Sequence, residues 1–109
     1  MNSITIEQLQ AIAKVHTNVI ITQHTLDRFR ERGIKIADVF SAIADGEVIE
    51  QYPYDYPHPS CLILGSSSKA LPLHIVCGTD NTKLWVITAY FPDSTRWEID
   101  NKTRKVVNK

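Results

Sequence analysis

The 109-residue sequence lacks an excess of charge of either sign, a long apolar run and more than two cysteines. Lysine plus arginine equals aspartate plus glutamate, 12 against 12, so bulk charge does not predict strong nonspecific binding to nucleic acid. Apolar runs of only a few residues exclude a transmembrane helix, and no basic region followed by an apolar stretch opens the sequence. We therefore expect a cytoplasmic protein without a signal peptide and without membrane contact.

The two cysteines, Cys61 and Cys77, both fall in predicted strands. In a cytoplasmic protein they are best interpreted as buried free thiols, with a disulfide as the alternative. No Cys-x-x-Cys motif or paired Cys and His spacing is present, so we expect no zinc site and no cofactor. The spacing gives equally little support to a metal-binding regulator.

The apolar fraction of 43% is that of an ordinary globular protein. A chain of this length supports one domain with one modest core. We expect a single domain over residues 1–109, with its most characteristic part at 22–99 and a frayed tail at 100–109.

Three helices are predicted in the N-terminal half. Thr5 begins the first, which runs to about His16, and Thr22 caps the second, Gln23 to Arg32, which stops at Gly33. The third helix has the spacing of a core-facing stripe and ends at Gly46; the stripe is Ile36, Val39, Phe40 and Ile43. A short link or strand at 19–21 separates the first two helices.

Strands are predicted at 47–52 and 60–65, followed by a β-hairpin over 71–91 with arms at 71–77 and 84–91. The result is an α+β fold in which the N-terminal helices pack on one face of an antiparallel sheet of about four strands. The opposite face would be partly open, and an exposed sheet edge leaves room for a homodimer.

The apolar side chains of the hairpin occupy odd-numbered positions: Leu71, Leu73, Ile75, Cys77, Trp85, Ile87, Ala89 and Phe91. Alternate residues of a strand share a face, so we expect all of them in the core. Paired residue numbers then sum to an even value, which favours a loop of three or five residues. His74 would lie near Thr88 on the other face, with Tyr90 two residues further along.

Two further stretches carry candidate binding residues. The second helix presents His24, Arg28 and Arg32 at i, i+4 and i+8, which puts an imidazole and two guanidinium groups on one flank; a solvated face with surface ion pairs is the alternative. A stiff, proline-rich loop at 53–59 follows Tyr52 and contains two more tyrosines. These three tyrosines could stack on nucleobases or pack over the sheet edge.

If His24, Arg28, His74, Thr88 and Tyr90 converge, their chemistry suits cleavage of RNA phosphodiesters without a metal ion. A histidine can accept the 2′-hydroxyl proton, and a protonated histidine or a tyrosine can donate one to the leaving 5′-oxygen. An arginine fork can hold the phosphate and stabilise the transition-state charge. The helix half of this site can meet the sheet half only around a sheet edge, so the two halves can also be separate.

The sequence between about His24 and Trp97 resembles the prokaryotic family of domains of unknown function numbered 4258. The matching pieces are His24-x-x-x-Arg28, Glu31-Arg32-Gly33-Ile34, Asp38-Val39, Gly46-Glu47-Val48-Ile49-Glu50, Tyr52-Pro53, Pro59-Ser60-Cys61-Leu62-Ile63-Leu64-Gly65, Leu73-His74-Ile75-Val76 and Ile87-Thr88-Ala89-Tyr90-x-Pro92. The resemblance implies a fold like that of the RelE and barnase-like ribonuclease toxins, an RNA substrate and a cognate antitoxin protein. The positions of His24, Arg28, His74, Thr88 and Tyr90 are the natural active-site candidates in such a family.

Two functional hypotheses follow. In the first, the chain is a metal-independent endoribonuclease and the toxin of a toxin–antitoxin pair, with a histidine as acid or base, Arg28 on the phosphate, and Thr88 with Tyr90 positioning it. In the second, the same surfaces form a non-enzymatic protein-interaction module in which the histidines only make hydrogen bonds. Zero net charge favours the second hypothesis and departs from the usual RelE-like toxin.

Overall fold

A computed structural model describes residues 3–106 of the chain. The helices are α1 (Ile6–Ala13), α2 (Gln23–Arg32) and α3 (Ile36–Ala44), with a 3-10 turn at His16–Asn18. The strands are β1 (Val19–Ile20), β2 (Glu47–Tyr52), β3 (Ser60–Ser66), β4 (Pro72–Thr79) and β5 (Leu84–Tyr90). This confirms the predicted α+β class. Within residues 3–106, no helix is long and apolar enough to cross a membrane.

The five strands form one sheet in the order β1-β5-β4-β3-β2. Strands β2 to β5 are an antiparallel meander, as expected from the short connections between them. The short strand β1 adds a fifth member and pairs with β5 in parallel, so the sheet is mixed. Its two residues lie in the stretch at 19–21, which the sequence predicts to be either a short link or a strand.

The predicted caps are present, but α1 ends at Ala13, before the predicted end at about His16, which instead begins the 3-10 turn. Thr5 and Gln8 form a reciprocal capping box at the start of α1, and the Thr22 side chain accepts a hydrogen bond from the backbone of Thr25 at the start of α2. Gly33 ends α2 with φ of 71°, a left-handed conformation that favours glycine. These caps fix where α2 begins and ends, and therefore which flank it turns toward the sheet.

The helices cover one face of the sheet, called here the helix face, and enclose the core. Its central strands contribute fully buried side chains, among them Ile63 and Ile75, which lie opposite each other. Cys61 and Cys77 are also cross-strand partners on this face, and both are buried free thiols, as predicted. Burial raises the pKa of the Cys61 thiol to about 12 and that of Cys77 well above its usual range, so both stay protonated.

A β-bulge in the hairpin overturns half of its predicted register. From His74 to Val76, the numbers of paired residues on β4 and β5 sum to an even value, as predicted. From Cys77 onward the sum is odd, because Ile87 on β5 has no partner on β4. Leu84 and Val86 therefore enter the core in place of Trp85 and Ile87, and the loop has four residues, 80–83. Leu71, Ile87 and Phe91, which the sequence predicts to be in the core, are 50%, 48% and 37% exposed.

The other face of the sheet, called here the open face, is partly covered by residues 93–106. Trp97 in this C-terminal segment is only 3% exposed and pairs with Arg104 in an isolated β-bridge. Arg104 and Lys102 reach back to acidic residues of β2. Residues 100–106 are thus held against the sheet, whereas the sequence predicts a frayed tail; residues 107–109 lie outside the described part.

Two glycines give a matched test of how closely the layers pack. A β-carbon at Gly65 would collide with the backbone of Ala42 in α3, whereas one at Gly78 would have its nearest neighbour, Cδ1 of Ile87, at 3.6 Å. We expect Gly65→Ala to lower the free energy of unfolding by about 1–3 kcal/mol because it forces α3 away from β3. Gly78→Ala should change it by less than about 0.5 kcal/mol. Urea denaturation of both variants measures this, and equal losses would contradict the close approach.

Candidate functional site

The open face carries most of the chemistry that the sequence predicts. In the β4–β5 register His74 lies opposite Tyr90, Val76 opposite Thr88 and Gly78 opposite Trp85. Because these pairs alternate with core residues, His74, Tyr90, Thr88 and Trp85 all project from the open face. His74 therefore faces Tyr90 directly and has Thr88 on the diagonal, whereas the sequence predicts Thr88 near His74 and Tyr90 two residues further along.

His74 is completely buried on this face, and both of its ring nitrogens are engaged. Nε2 lies 2.7 Å from the carbonyl oxygen of Asn101, so this nitrogen carries the proton and donates it. Nδ1 then accepts a hydrogen bond from the Tyr90 hydroxyl at 3.3 Å. The edge of the Trp97 ring system closes the other side, with ring centroids 4.5 Å apart. His74 thus holds Tyr90 in place and links β4 to the C-terminal segment.

Burial keeps both members of this pair neutral. Burial is the main cause that lowers the pKa of His74, while the hydrogen bond to the Asn101 carbonyl and the charge of Glu50 act to raise it. Burial is also the main cause that raises the pKa of Tyr90. At neutral pH the pair is therefore an uncharged imidazole and an uncharged phenol. Tyr90, which is only partly buried, is the member that a ligand can reach.

A second set of contacts fastens the C-terminal segment beside this pair. Arg104 donates two hydrogen bonds to Glu50, at 2.8 and 3.0 Å, and its guanidinium lies 4.7 Å from the centre of the Trp97 ring. Arg104 is the main cause that lowers the pKa of Glu50. Tyr52 also donates to Glu50, and burial with this hydrogen bond raises the pKa of Tyr52 to about 12.

A polar cavity of about 390 Å³ lies where Tyr90 meets the C-terminal segment, lined by Tyr90, Asp93, Arg96, Trp97 and Arg104. Arg96 makes no ion pair with the described residues, whereas the charge of Arg104 is shared with Glu50. Asp93 opposes an anion in this cavity, because hydrogen bonds from Thr95 lower its pKa and keep it ionised. The cavity suits a ligand that offers both an anionic group and hydrogen-bond acceptors.

The flank of α2 meets the sheet at the free edge of β5. His24 and Arg28 are exposed, and Arg28 pairs with Glu31 at 3.2 Å. Arg32 instead reaches around the edge and donates to Oγ1 of Thr88 at 3.1 Å and to the carbonyl oxygen of Ala89 at 2.8 Å. One residue of the predicted flank thereby contacts the open face.

The structure brings together His74 and Tyr90, and it connects Thr88 to α2 through Arg32. Among residues 3–106, no hydrogen bond or ion pair joins His24 or Arg28 to the three sheet residues. Sequence reasoning missed the residues that complete this surface, which are Arg32 as a contact residue, Arg96, Trp97, Asn101 and Arg104. The available signals were Trp97, which the sequence predicts to be partly buried, and the four basic residues after Asn101, which fall in the predicted frayed tail.

Groups of three or more His, Cys, Asp or Glu side chains that could hold a metal ion are absent from the part of the chain that the structure describes. Cys61 and Cys77 lie in the core on the helix face, whereas His74, Thr88 and Tyr90 project from the open face. The polar groups of the open face and its cavity are therefore the Tyr90 phenol, the buried His74 imidazole, the Thr88 hydroxyl, the Asp93 carboxylate and several guanidinium groups.

Residues 21–91 match the family model described as Domain of unknown function (DUF4258). The chain belongs to this family. No curated protein and no solved structure matches the chain. The match spans α2, α3 and the whole β2–β5 meander, so His24, Arg28, His74, Thr88 and Tyr90 all lie within the DUF4258 region. The C-terminal segment that buries His74 lies beyond it, and the RelE-like relationship stays a prediction.

The buried, neutral His74 predicts how stability depends on pH. Because its pKa is lower in the folded chain than in the unfolded chain, the unfolded state binds more protons below pH about 6.5. The free energy of unfolding should therefore fall as the pH drops from 7, by up to about 1.4 kcal/mol per pH unit. A His74→Gln variant should lose this slope, since the other histidines are common to both proteins. Denaturant titrations between pH 7.5 and about 5 measure it, and parallel curves would contradict a lowered pKa.

Proposed function

We propose that this chain is a metal-independent endoribonuclease that acts in the cytoplasm as the toxin of a toxin–antitoxin pair. The reaction would be attack of an RNA 2′-oxygen on the adjacent phosphorus, with loss of the 5′-oxygen and formation of a 2′,3′-cyclic phosphate. It needs a group that accepts the 2′-hydroxyl proton, a donor for the leaving oxygen and cations around the phosphate. The cognate antitoxin would be a small protein that covers this surface.

The hydrogen bond from Arg32 to Thr88 is the observation that carries the proposal. It connects the flank of α2, where His24 and Arg28 lie, to the sheet face that holds Tyr90. The flank and the cavity with Arg96 can then line one path for an RNA strand around the edge of β5. Local guanidinium groups can bind phosphate even though the net charge of the chain is zero.

The burial of His74 decides how the roles are divided. A histidine with no exposed surface and two engaged nitrogens acts through its neighbour, so His74 is a positioning residue that orients the Tyr90 hydroxyl. Tyr90 is the donor to the leaving oxygen or to the phosphate. Of the two candidate histidines, His24 is the exposed one, and it takes the role of base. Arg28, Arg32 and Arg96 contact the phosphates, and Thr88 helps to position the phosphates.

The same burial favours the rival hypothesis of a protein-interaction module. There, His74 and Tyr90 only stabilise the fold, and Arg28 with Glu31 forms an ordinary surface pair. The two hypotheses differ in one measurable respect, because the module turns over no RNA at any concentration of protein.

Removing the Tyr90 hydroxyl separates these hypotheses. A DNA strand with a single ribonucleotide serves as substrate, in the presence of a chelator, with detection of the cyclic phosphate. We expect the wild type to cut only at the ribonucleotide and Tyr90→Phe to lower kcat by at least about 100-fold, because a proton donor is lost. Tyr54→Phe is the matched control, since Tyr54 is 87% exposed on the loop after β2, and it should behave as the wild type.

Circular dichroism should show that Tyr90→Phe is folded, because only the partner of one buried nitrogen is lost. If the wild type cuts no RNA under these conditions, or if Tyr90→Phe retains full kcat, the nuclease assignment with Tyr90 as donor fails. Stable capture of a defined protein partner without turnover would then support the interaction module.

The helix flank predicts a difference between two arginines of α2. Arg28 lies on the flank with His24 and Arg32, whereas Arg30 lies off it, and both are exposed. We expect Arg28→Gln to weaken RNA binding and to reduce the slope of log K against log salt by about 1, the effect of one lost phosphate contact. Arg30→Gln removes the same charge and should leave the slope unchanged. Fluorescence anisotropy at several salt concentrations gives both slopes, and equal slopes would remove the flank from the RNA path.

A further inference from the structure

A second cavity opens on the same sheet, at the opposite end of β5 from Tyr90. It measures about 360 Å³, and its lining includes Tyr56, His58, Gly78, Trp85 and Ile87. The ring of His58 stacks on that of Trp85, with centroids 4.5 Å apart and planes 16° apart. The lining is predominantly apolar and contains no lysine, arginine, aspartate or glutamate, which sets this cavity apart from the arginine-lined one.

The bulge is what creates this cavity. Gly78 and Trp85 face the open side, and the extra residue Ile87 projects to the same side, since its Cδ1 lies 3.6 Å from the place of a Gly78 β-carbon. Gly78 has no side chain to fill the bottom of the cavity, and the side chain of Ile87 and the stacked rings of Trp85 and His58 line its sides. The Thr25 hydroxyl of α2 donates a hydrogen bond to the carbonyl oxygen of Ile87 at 3.4 Å, so α2 holds the bulge in place.

Tyr56 stands at the rim of the cavity and is 91% exposed. The sequence left open whether the tyrosines of this loop pack over the sheet edge. Tyr52 does become partly buried, but Tyr54 and Tyr56 do not pack there. An exposed aromatic ring beside an open apolar cavity and a stacked aromatic pair is the arrangement that proteins use to hold an unpaired base.

We infer that this cavity is a subsite for one unpaired nucleobase of a single-stranded RNA, stacked against Tyr56 and the Trp85–His58 pair. This inference rests on the proposed function and extends it to the substrate class, which is unpaired rather than duplex RNA. Its continuity with the candidate site supports this occupant, because Trp85 and Tyr90 project from the same face of β5. Their partners on β4, Gly78 and His74, are four residues apart, which is about 14 Å at roughly 3.4 Å per residue. A short single strand can fill both cavities, with Thr88 and Arg32 between them.

Binding to a strand that cannot be cut tests the subsite independently of cleavage. The probes are a short, fluorescently labelled deoxyuridine strand and an abasic strand of the same length, measured by anisotropy. The wild type should bind the strand with bases about 10-fold more tightly, because stacking contributes on this scale for each base. Tyr56→Ala should lose most of that preference, and Tyr54→Ala, an equally exposed tyrosine of the same loop, should keep it.

A second matched pair guards against an indirect effect of the loop. His58→Ala removes the ring stacked on Trp85, and it should also reduce the preference for bases. His16→Ala removes a histidine whose ring contacts that of Phe40 among the helices, with centroids 4.2 Å apart and planes tilted by 32°, and it should leave the preference for bases unchanged. Both replacements cost a similar aromatic contact, so a shared loss of stability cannot explain a difference between them.

The outcomes separate failure of the subsite from failure of the proposed function. Equal preference for bases in Tyr56→Ala and Tyr54→Ala overturns the subsite, even if RNA is still cleaved. A preserved base preference without cleavage of any RNA overturns the nuclease and leaves a single-strand binding site. If sedimentation shows that Tyr56→Ala changes the self-association of the chain, while base preference stays intact, the cavity is a contact between copies and the inference is wrong.

Discussion

The candidate site depends on one extra residue in β5. Without the bulge at Ile87, the strand would keep a single alternation and Ile87 would point into the core beside Ala89. With it, β5 turns Leu84 and Val86 inward and still presents Thr88 and Tyr90 on the open face. The bulge is held by α2, because Thr25 and Arg32 donate to the carbonyl groups of Ile87 and Ala89 at an edge that β1 is too short to cover. The helix flank and the bulged strand are therefore coupled through two hydrogen bonds that side chains of α2 donate to backbone carbonyl groups of β5.

Local sequence chemistry predicted most of the fold. The capping box of Thr5 fixed the start of α1, and the cap at Thr22 with the left-handed Gly33 fixed both ends of α2, because each depends on residues within one turn. The strands at 47–52 and 60–65 and the two buried thiols were equally readable. The register of β5 was not, because a bulge is decided by tertiary packing: Trp85 and Leu84 are both apolar, and nothing in their order says which one the core accepts.

The candidate site could be predicted from the sequence only in part, for a related reason. Sequence patterns identify residues that can do chemistry, but they do not say how deep a side chain lies. His74 was expected on an open surface, and it is covered by Trp97 and bonded to Asn101, which are more than 20 residues away in the chain. The part of the covering segment after residue 99 falls in the predicted frayed tail, but its Lys102 and Arg104 pair with Glu47 and Glu50 on β2. Long-range ion pairs of this kind leave no periodic signal.

The cover over His74 also decides how much of the chain the site needs. The family match ends at residue 91, whereas Trp97 and Asn101, which cover and bind His74, lie beyond it. A chain cut after residue 91 would leave Nε2 of His74 without its carbonyl acceptor and Glu50 without Arg104. The region that defines the family therefore does not by itself build the candidate site.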